Sequence, residues 1–338
     1  MVFKAAAVHA APVFMDKKAS TQKAIDFIKK AEQESIELLV FPETFIPGYP
    51  YFIECYPPLM QVGALNDYRE ASVEIDGPEI AAIQTAAKES GVAVVLGISE
   101  CVSGGFTCFN SQVFIDKNGQ LLGVHRKLQP TYVERTVWAQ GGGHTLRTFN
   151  SELGNLGGLA CWEHTMNLAR QALINEGEQI HAAAWPGLST MAGFEEVADI
   201  QIDAMMKTHA LTGQCFVIAA SNPVDQTCLD WMEQHLGAQD LVKLGGGWSA
   251  IVHPFNSYIA DPHTGLEEKL VVGEIDLTQL GPVKVWVDSA GHYSRPEVLK
   301  MEVDRKILWS DEENLQQSSK PTSALKESQE ALLSDSKV

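Results

Sequence analysis

The stretch Val92-Ala-Val-Val-Leu-Gly-Ile98 decides the fold class of this chain, because it has no polar side chain at any position. A strand of this kind is buried on both faces, so its sheet must be covered on both sides. Apolar residues at helical spacing in residues 18–34 and 78–89 lie on either side of another strand-like run at residues 36–41. This alternation recurs between residues 156 and 220, with hairpin-like strands after each half. We therefore predict an α/β fold, built as a layered sandwich rather than as separate domains.

The chain divides into one long domain and a short polar tail. No linker-like stretch interrupts residues 1–305, which we predict to form a single domain. Residues 306–338 become rich in Ser, Gln, Glu and Lys, and we expect this tail to be disordered or to act as an assembly arm. Two long stretches that we predict to be irregular, residues 47–75 and 223–246, interrupt the domain. Long loops of this kind are usually functional or interfacial.

The composition limits the partners and the compartment of the protein. Of 338 residues, 45% are apolar, which is enough for a substantial core, and the formal net charge is −18. Such an acidic chain is a poor partner for nucleic acid or for an anionic membrane surface. No apolar run reaches the roughly 18 residues of a membrane span, and polar residues break the apolar amino terminus before it forms a signal peptide. The six cysteines include no Cys-x-x-Cys pair, so we expect a protein of the reducing cytoplasm.

Three chemically distinct side chains follow strand-like runs. Glu43 follows Leu-Leu-Val-Phe-Pro, Lys127 follows Gly-Val-His-Arg, and Cys161 follows Leu-Gly-Gly-Leu-Ala. Because sites gather at the carboxyl ends of strands in α/β sheets, the three can converge. Taken singly, they are typical of a solvated cap, a surface charge and a small buried apolar residue. Together, a carboxylate can accept the thiol proton, an ammonium can stabilise negative charge, and a thiolate can attack an electrophilic carbon bound to nitrogen.

Several segments of the chain, in order, carry a resemblance to one enzyme family. They are Phe41-Pro-Glu-Thr-Phe-Ile-Pro-Gly-Tyr-Pro-Tyr51, His125-Arg-Lys127 with Pro130-Thr-Tyr-Val-Glu-Arg135, Cys161-Trp-Glu-His164, Ala184-Trp-Pro-Gly187 and Asp288-Ser-Ala-Gly-His-Tyr-Ser-Arg-Pro296. These segments resemble the signature blocks of the nitrilases, the nitrile-hydrolysing branch of the carbon–nitrogen hydrolase superfamily. The resemblance spans residues 3–300 and departs from the family pattern at Asn167, where many relatives carry a proline. That departure leaves the preferred nitrile open.

The resemblance implies a four-layer α-β-β-α sandwich and assigns roles to particular side chains. It implies Cys161 as the nucleophile, Glu43 as the base and Lys127 as the cation. It also implies that Glu134 positions substrate or water, and that the main-chain N–H of Trp162 joins Lys127 in holding negative charge. The candidates for lining the substrate pocket, each with an ordinary core aromatic as its alternative, are Tyr51, Trp162 and Trp185.

These assignments predict an enzyme that hydrolyses an organic nitrile to the carboxylic acid and ammonia, through a thioimidate and a thioester on Cys161. The reaction needs neither a metal nor an organic cofactor. Cys161 and His164 are three residues apart, but a zinc site would need two further ligands, of which the neighbouring sequence gives no sign. We expect His164 to be structural. The alternatives are a cyanide-hydrolysing enzyme or an amidase of the same superfamily, and a non-catalytic scaffold that binds small ligands or partners.

We expect two kinds of partner, a small-molecule nitrile and further copies of the chain. The resemblance implies dimers that extend into larger spiral oligomers. The residues add a physical reason, because residues 47–75 contain Tyr49-Pro-Tyr-Phe-Ile53 and Tyr56-Pro-Pro-Leu-Met60. This cluster is too apolar for a solvated loop, so it must pack either on its own core or on a partner.

Overall fold

Two six-stranded sheets lie face to face in the computed structural model of the chain, which describes residues 1–315. The strands of these residues are β1 (Val2–His9), β2 (Ile36–Val40), β3 (Ala93–Cys101), β4 (Cys108–Ile115), β5 (Leu121–Arg126), β6 (Phe149–Ser151), β7 (Gly154–Ala160), β8 (Ile180–Trp185), β9 (Phe216–Ser221), β10 (Ser249–Val252), β11 (Tyr258–His263) and β12 (Lys269–Asp276). The α-helices of the same residues are α1 (Lys17–Gln33), α2 (Val62–Ala71), α3 (Pro78–Ser90), α4 (Asn167–Asn175), α5 (Ala198–Gly213), α6 (Gln226–Leu236) and α7 (Leu280–Trp286).

The two sheets share one strand arrangement. The first sheet has the order β12-β1-β2-β3-β4-β5, and the second has the order β11-β10-β9-β8-β7-β6. In the first sheet β1, β2 and β3 run parallel, and the strands outside them pair antiparallel. In the second sheet β7, β8 and β9 are the parallel strands. The predicted repetition of crossovers followed by hairpins is therefore confirmed.

Strand β3 shows why both faces of each sheet are covered. Ala93 and Val95 pack between the two sheets, whereas Val94, Leu96 and Ile98 pack on the outer side of the first sheet. Side chains alternate between the faces of a strand, so a continuous apolar run supplies both cores at once. The expectation drawn from this stretch is confirmed.

Helices form the two outer layers. Helix α1 covers the first sheet with Ala24 and Ile28, and α3 covers it with Ile80 and Ile83. The second sheet is covered by α5, whose Ile202 and other apolar residues pack against its outer face, and by α4. The order helix, sheet, sheet, helix is the predicted four-layer α-β-β-α sandwich. Among residues 1–315, no helix combines the length and the apolar character needed to cross a bilayer.

Both stretches predicted to be irregular contain helices, so that prediction was wrong. Residues 47–75 include α2, and residues 223–246 include α6. Helix α6 is capped at its start by Asp225, whose side chain accepts the N–H of Cys228, a start signal that the sequence does contain. Helix α2 has no capping side chain and contains Gly63, so little in its sequence indicates a helix.

The predicted tail, residues 306–338, is described only in its first part. Residues 306–315 lie against the domain, where Asp311 forms an ion pair with the buried side chain of Arg126. Residues 316–338 lie outside the described part of the chain. The domain boundary after residue 305, and the disordered or assembly role of the tail, stay predictions.

Candidate active site

The structure brings together four side chains that the sequence singled out. Glu43 lies shortly after β2 and Lys127 directly after β5 in the first sheet, and Cys161 directly follows β7 in the second. The Nζ atom of Lys127 donates to Oε1 of Glu43 at 2.8 Å and to Oε2 of Glu134 at 2.7 Å. The sulfur of Cys161 and a carboxylate oxygen of each glutamate lie within 4.8 Å of one another. All four side chains are buried.

Glu43 has one satisfied and one free carboxylate oxygen. Its Oε1 accepts hydrogen bonds from Lys127 and from Nδ2 of Asn110, the latter at 2.6 Å. Its Oε2 has no hydrogen-bond partner among the described residues. Burial raises the pKa of Glu43 to about 7, against the opposing charge of Lys127 and with the support of Glu134. A free buried acceptor with a pKa near neutrality is suited to general-base chemistry.

Glu134 is held in place by a turn of its own and by a tyrosine. In the 3₁₀ turn Tyr132–Thr136, the carboxylate of Glu134 accepts the main-chain N–H of Thr131 at 2.8 Å. Its other oxygen accepts the hydroxyl proton of Tyr49 at 3.0 Å. With Lys127 as a third donor, the carboxylate is fixed on both oxygens.

Cys161 sits on a sharp turn between β7 and the 3₁₀ turn Cys161–Thr165. Its φ of 53° lies in the left-handed region that favours glycine, so the backbone around the thiol is strained. Burial raises the pKa of the Cys161 thiol well above its usual value, and the charge of Glu43 adds to this effect. Lys127 and the main-chain N–H of Trp162 act in the opposite direction. The thiol is therefore protonated at rest and needs a base within reach.

His164 does not point at the thiol. Its Nδ1 lies 2.7 Å from the carbonyl oxygen of Cys161 and therefore donates a proton to it, while its Nε2 lies 2.9 Å from Nε2 of His181. His181 in turn contacts Glu178 at 2.7 Å, and Glu178 contacts His209 at 2.7 Å. Burial alone would raise the pKa of Glu178, but the two histidines outweigh it and lower that pKa to about 2. This is the geometry of a structural histidine in a buried polar chain.

The three candidate pocket residues differ in their surroundings. The hydroxyl of Tyr51 donates to Asn222 at 2.9 Å and accepts the N–H of Gly187 at 2.7 Å. Trp185 is fully buried, and its indole N–H has no partner among the described residues. Trp162 is half-buried, with its ring centre 6.4 Å from that of Trp185. Their role in binding substrate stays a prediction.

Two residues of the site were missed in the sequence. Tyr49 bonds Glu134 and Asn110 bonds Glu43, but neither was singled out as a contact of the charged groups. For Asn110 a signal existed, because Asn110-Ser-Gln112 interrupts an otherwise apolar strand. Buried polar groups are normally paired, so polar residues inside such a strand indicate a partner nearby. Tyr49 stands in an aromatic run and carries no comparable signal.

Two groups within residues 1–315 have donor atoms close enough to share a metal ion, one of Glu43, Glu134 and Cys161 and one of Glu178, His209 and Cys215. In the first, the ammonium of Lys127 already bridges the two carboxylates. In the second, each carboxylate oxygen of Glu178 already bonds a histidine.

Comparison with known proteins gives concordant matches. A family model described as carbon–nitrogen hydrolase matches residues 4–285. A nitrilase of Pseudomonas syringae pv. syringae (strain B728a) is 37% identical over 299 residues, which cover 88% of this chain and 88% of that protein. An aliphatic nitrilase of Rhodococcus rhodochrous is 36% identical over 308 residues, covering 90% of this chain and 83% of that protein. In fold, the chain is similar to the crystal structure of a carbon–nitrogen hydrolase from Helicobacter pylori G27, with a TM-score of 0.70, 19% identity, and coverage of 89% of this chain and 100% of that one.

Proposed function

The chain belongs to the nitrilases of the carbon–nitrogen hydrolase family, and from that premise we propose that it hydrolyses an organic nitrile to the carboxylic acid and ammonia. It is a hydrolase that acts on carbon–nitrogen bonds. The observation that carries the proposal is the contact of one thiol, one ammonium and two carboxylates in a buried cluster. Such a set can form and break a covalent bond to carbon without an external base.

The first step joins the thiol to the nitrile carbon. The free Oε2 of Glu43 accepts the proton of the Cys161 thiol, and the sulfur attacks the nitrile carbon. A carbon–sulfur bond forms while one carbon–nitrogen π bond breaks, and the nitrogen takes the proton from Glu43. The product of this step is a thioimidate on Cys161.

Negative charge that develops on the nitrogen is stabilised by the ammonium of Lys127. An ammonium has three protons, and Lys127 uses two of them on Glu43 and Glu134, which leaves one for the substrate nitrogen. The main-chain N–H of Trp162 supports the sulfur of Cys161. Donors held in place before the reaction stabilise the transition state without reorganising.

Water completes the reaction in two additions. The first water loses a proton to Glu43 as its oxygen adds to the thioimidate carbon, and Glu43 passes that proton to the nitrogen. The hydroxyl of this adduct then gives its remaining proton to the nitrogen through Glu43, so that ammonia leaves and a thioester forms. A second water adds to the thioester carbon, and the carboxylic acid leaves as the thiol of Cys161 is restored. Glu134, fixed by Tyr49 and Lys127, positions the substrate or the water.

Ammonia release from a panel of aliphatic, aromatic and arylacetic nitriles tests the proposal. The parent protein is expected to release ammonia and the matching acid, and Cys161→Ala is expected to release neither while keeping its circular dichroism spectrum. Cys215→Ala, which removes another buried thiol, is expected to stay active. Ammonia from amides or from cyanide alone would replace the proposal with an amidase or a cyanide-hydrolysing enzyme. No release from any of them would leave a binding scaffold.

We also propose that the protein forms dimers, which assemble into larger spiral oligomers. Part of the apolar cluster in residues 47–75 is buried in its own chain, including Tyr49 and Phe52. Leu59 and Met60 remain exposed, Leu59 at 90% of its surface. The outer helix α5 also exposes Ile200. Exposed apolar surface supports an interface, and two different patches allow one contact to close a dimer and another to extend it.

Light scattering during dilution, with activity followed in parallel, tests the assembly. We expect the mass to fall stepwise with concentration and activity to fall with it, because Glu43 lies just before the insertion that carries the exposed residues. Removal of residues 306–338 tests whether the tail contributes. A fully active monomer at low concentration would contradict the assembly proposal.

The protein acts in the cytoplasm. The proposed chemistry needs Cys161 as a thiol, and all six cysteines of the chain, which fall within the described residues, are free. Free thiols persist in reducing compartments. Cell fractionation with an antibody to the protein tests the location, and recovery from a secreted or periplasmic fraction would contradict it.

A further inference from the structure

The carboxylate of Glu163 joins the ends of two strands that belong to different sheets. Its Oε1 accepts the main-chain N–H of Leu128 at 2.7 Å, and its Oε2 accepts that of Ala160 at 3.0 Å. Leu128 directly follows Lys127, and Ala160 directly precedes Cys161. The buried side chain of Glu163 therefore hydrogen-bonds the main chain next to Lys127 and the main chain next to Cys161.

A buried histidine completes the environment of this carboxylate. Nε2 of His125 lies 3.0 and 3.1 Å from the two oxygens of Glu163, and its Nδ1 lies 3.3 Å from the carbonyl oxygen of Thr145. Both ring nitrogens face acceptors, so both carry protons and the ring is an imidazolium. Burial opposes charge on both groups, yet their attraction outweighs it, raising the pKa of His125 and lowering that of Glu163. The carboxylate is thus ionised and able to accept from both main-chain N–H groups.

The ends of two strands that belong to different sheets are not held at a fixed spacing by main-chain hydrogen bonds. Strand β5 is an edge strand of the first sheet, and β7 lies in the second, so main-chain hydrogen bonds between strands do not link them. The distance between Nζ of Lys127 and the sulfur of Cys161 then depends on contacts across the sheets. Glu163 supplies such a contact within one residue of each.

We propose that Glu163 is a positioning residue that sets the spacing between Lys127 and Cys161 by bonding the main-chain N–H groups of Leu128 and Ala160. The idea rests on the proposed function for the roles of the lysine and the thiol. Its physical basis is the sensitivity of a reacting pair to displacement, where an error of about 1 Å costs on the order of a hundredfold in rate.

The test compares three variants with the parent protein in nitrile turnover. Glu163→Gln turns one acceptor oxygen into an NH₂ group that faces an N–H, so one strand end loses its partner. We expect kcat to fall by roughly 10- to 100-fold while KM changes by less than about threefold, because the reacting groups and not the binding surface are displaced.

The matched control is Glu100→Gln. Glu100 is also buried and also pairs with a cation beside the site, Arg126, but its hydrogen bonds go to Arg126 and Ser111 and not to Leu128 or Ala160. This variant is expected to lose thermal stability and to keep kcat within about twofold. Equal losses of kcat in the two variants would mean that Glu163 only stabilises the fold, and the proposal would fail.

Glu163→Asp keeps the test decisive if Glu163→Gln does not fold. Aspartate retains the charge and can still cap the nearby N–H of Ala160, but it is one methylene too short to reach Leu128 as well. We expect kcat to fall at least about tenfold in this variant. Full activity of Glu163→Asp would show that the contact between the sheets is not needed, which overturns the proposal.

Labelling of Cys161 by iodoacetamide separates this proposal from the proposed function. If the parent protein hydrolyses no nitrile, the proposed function is wrong. The rate at which iodoacetamide labels Cys161 still reports on the surroundings of the thiol in that case. We expect Cys161 of Glu163→Gln to react at least about tenfold more slowly than Cys161 of the parent protein. The reason is that the sulfur is displaced from the ammonium of Lys127 and from the carboxylate of Glu43, which promote its ionisation. An equal or faster rate overturns the positioning role.

Discussion

Proton transfer between Glu43 and Cys161 is controlled by the surroundings of each side chain. Burial brings the pKa of Glu43 to about 7, so its carboxyl is poised between its two forms near neutral pH. Burial also keeps the thiol protonated, against the pull of Lys127 and the N–H of Trp162. The free Oε2 of Glu43 is the acceptor available to the thiol among the described groups near it. Activity should therefore follow the ionisation of Glu43.

We expect kcat/KM for a nitrile to rise with pH through an apparent pKa near 7, because Glu43 can accept a proton only when it is ionised. The charge of Lys127 lowers this pKa of Glu43 and the charge of Glu134 raises it, although burial is the largest cause. The amide of Asn110 favours the ionised form of Glu43, so Asn110→Ala should move the rise to higher pH. Gln112→Ala, on the same strand but bonded to the second sheet, should leave it in place. A rise below about pH 5, the range of an unperturbed carboxyl, would contradict this account.

The elements show which parts of the molecule can be predicted from sequence. Strands such as β3 and β7 can be located because a continuous apolar run has few other interpretations. The charged groups meet beyond the carboxyl ends of β2, β5 and β7, where the strand-like runs before Glu43, Lys127 and Cys161 predict them. Helix α2 was missed because it contains Gly63 and has no capping side chain, and helix α6 was missed although Asp225 supplies a start signal. The contact of Glu163 with Leu128 depends on the packing of one sheet on the other, and the contact of Tyr49 with Glu134 joins residues 85 positions apart in the chain. No local pattern encodes either contact.

Strand β3 also supports the base directly. A Cβ atom added to Gly97 would lie 2.1 Å from the carbonyl oxygen of Pro42 and 2.8 Å from the N atom of Thr44, on either side of Glu43. We therefore expect Gly97→Ala to push this segment away, lowering the free energy of unfolding by about 1–3 kcal/mol and kcat by roughly tenfold or more. Gly63→Ala in helix α2, where an added Cβ meets nothing within 4 Å, is the control and should leave both unchanged or raise stability. Wild-type kcat in Gly97→Ala would refute the close approach.

In the whole molecule, the site exists only where the two sheets meet. The first sheet supplies Glu43 and Lys127, and the second supplies Cys161. Behind Cys161 the second sheet is tied to its covering helix by the buried chain from His164 to Glu178 and on to α5. The buried chain therefore connects the backbone at Cys161 to the helical layer formed by α5. Because the chain contains Glu178, we expect the stability of this layer to depend on pH.

The pH dependence of stability can be tested at Glu178. Its folded pKa of about 2 lies below the usual 4.5, so its stabilisation is fully present above pH 4.5 and is lost as pH falls towards 2. This shift corresponds to about 3 kcal/mol at neutral pH. Glu178→Gln should lower the thermal midpoint at pH 7, and the difference from the parent should shrink below pH 4.5. The exposed Glu89→Gln should change neither. A difference that grows on acidification would contradict the assignment.

Cys161 bonds covalently to the carbon of a nitrile in the proposed reaction, and mass spectrometry of enzyme quenched in acid during turnover can detect this bond. We expect intact protein to gain the mass of the substrate acyl or imidoyl group, and peptide mapping to assign this gain to Cys161. Glu43→Gln, which lacks the base beside the thiol, should show little or no adduct on the same time scale. An adduct on Cys108 or Cys215, or turnover without any adduct when the thioester is slow to hydrolyse, would show that Cys161 is not the nucleophile.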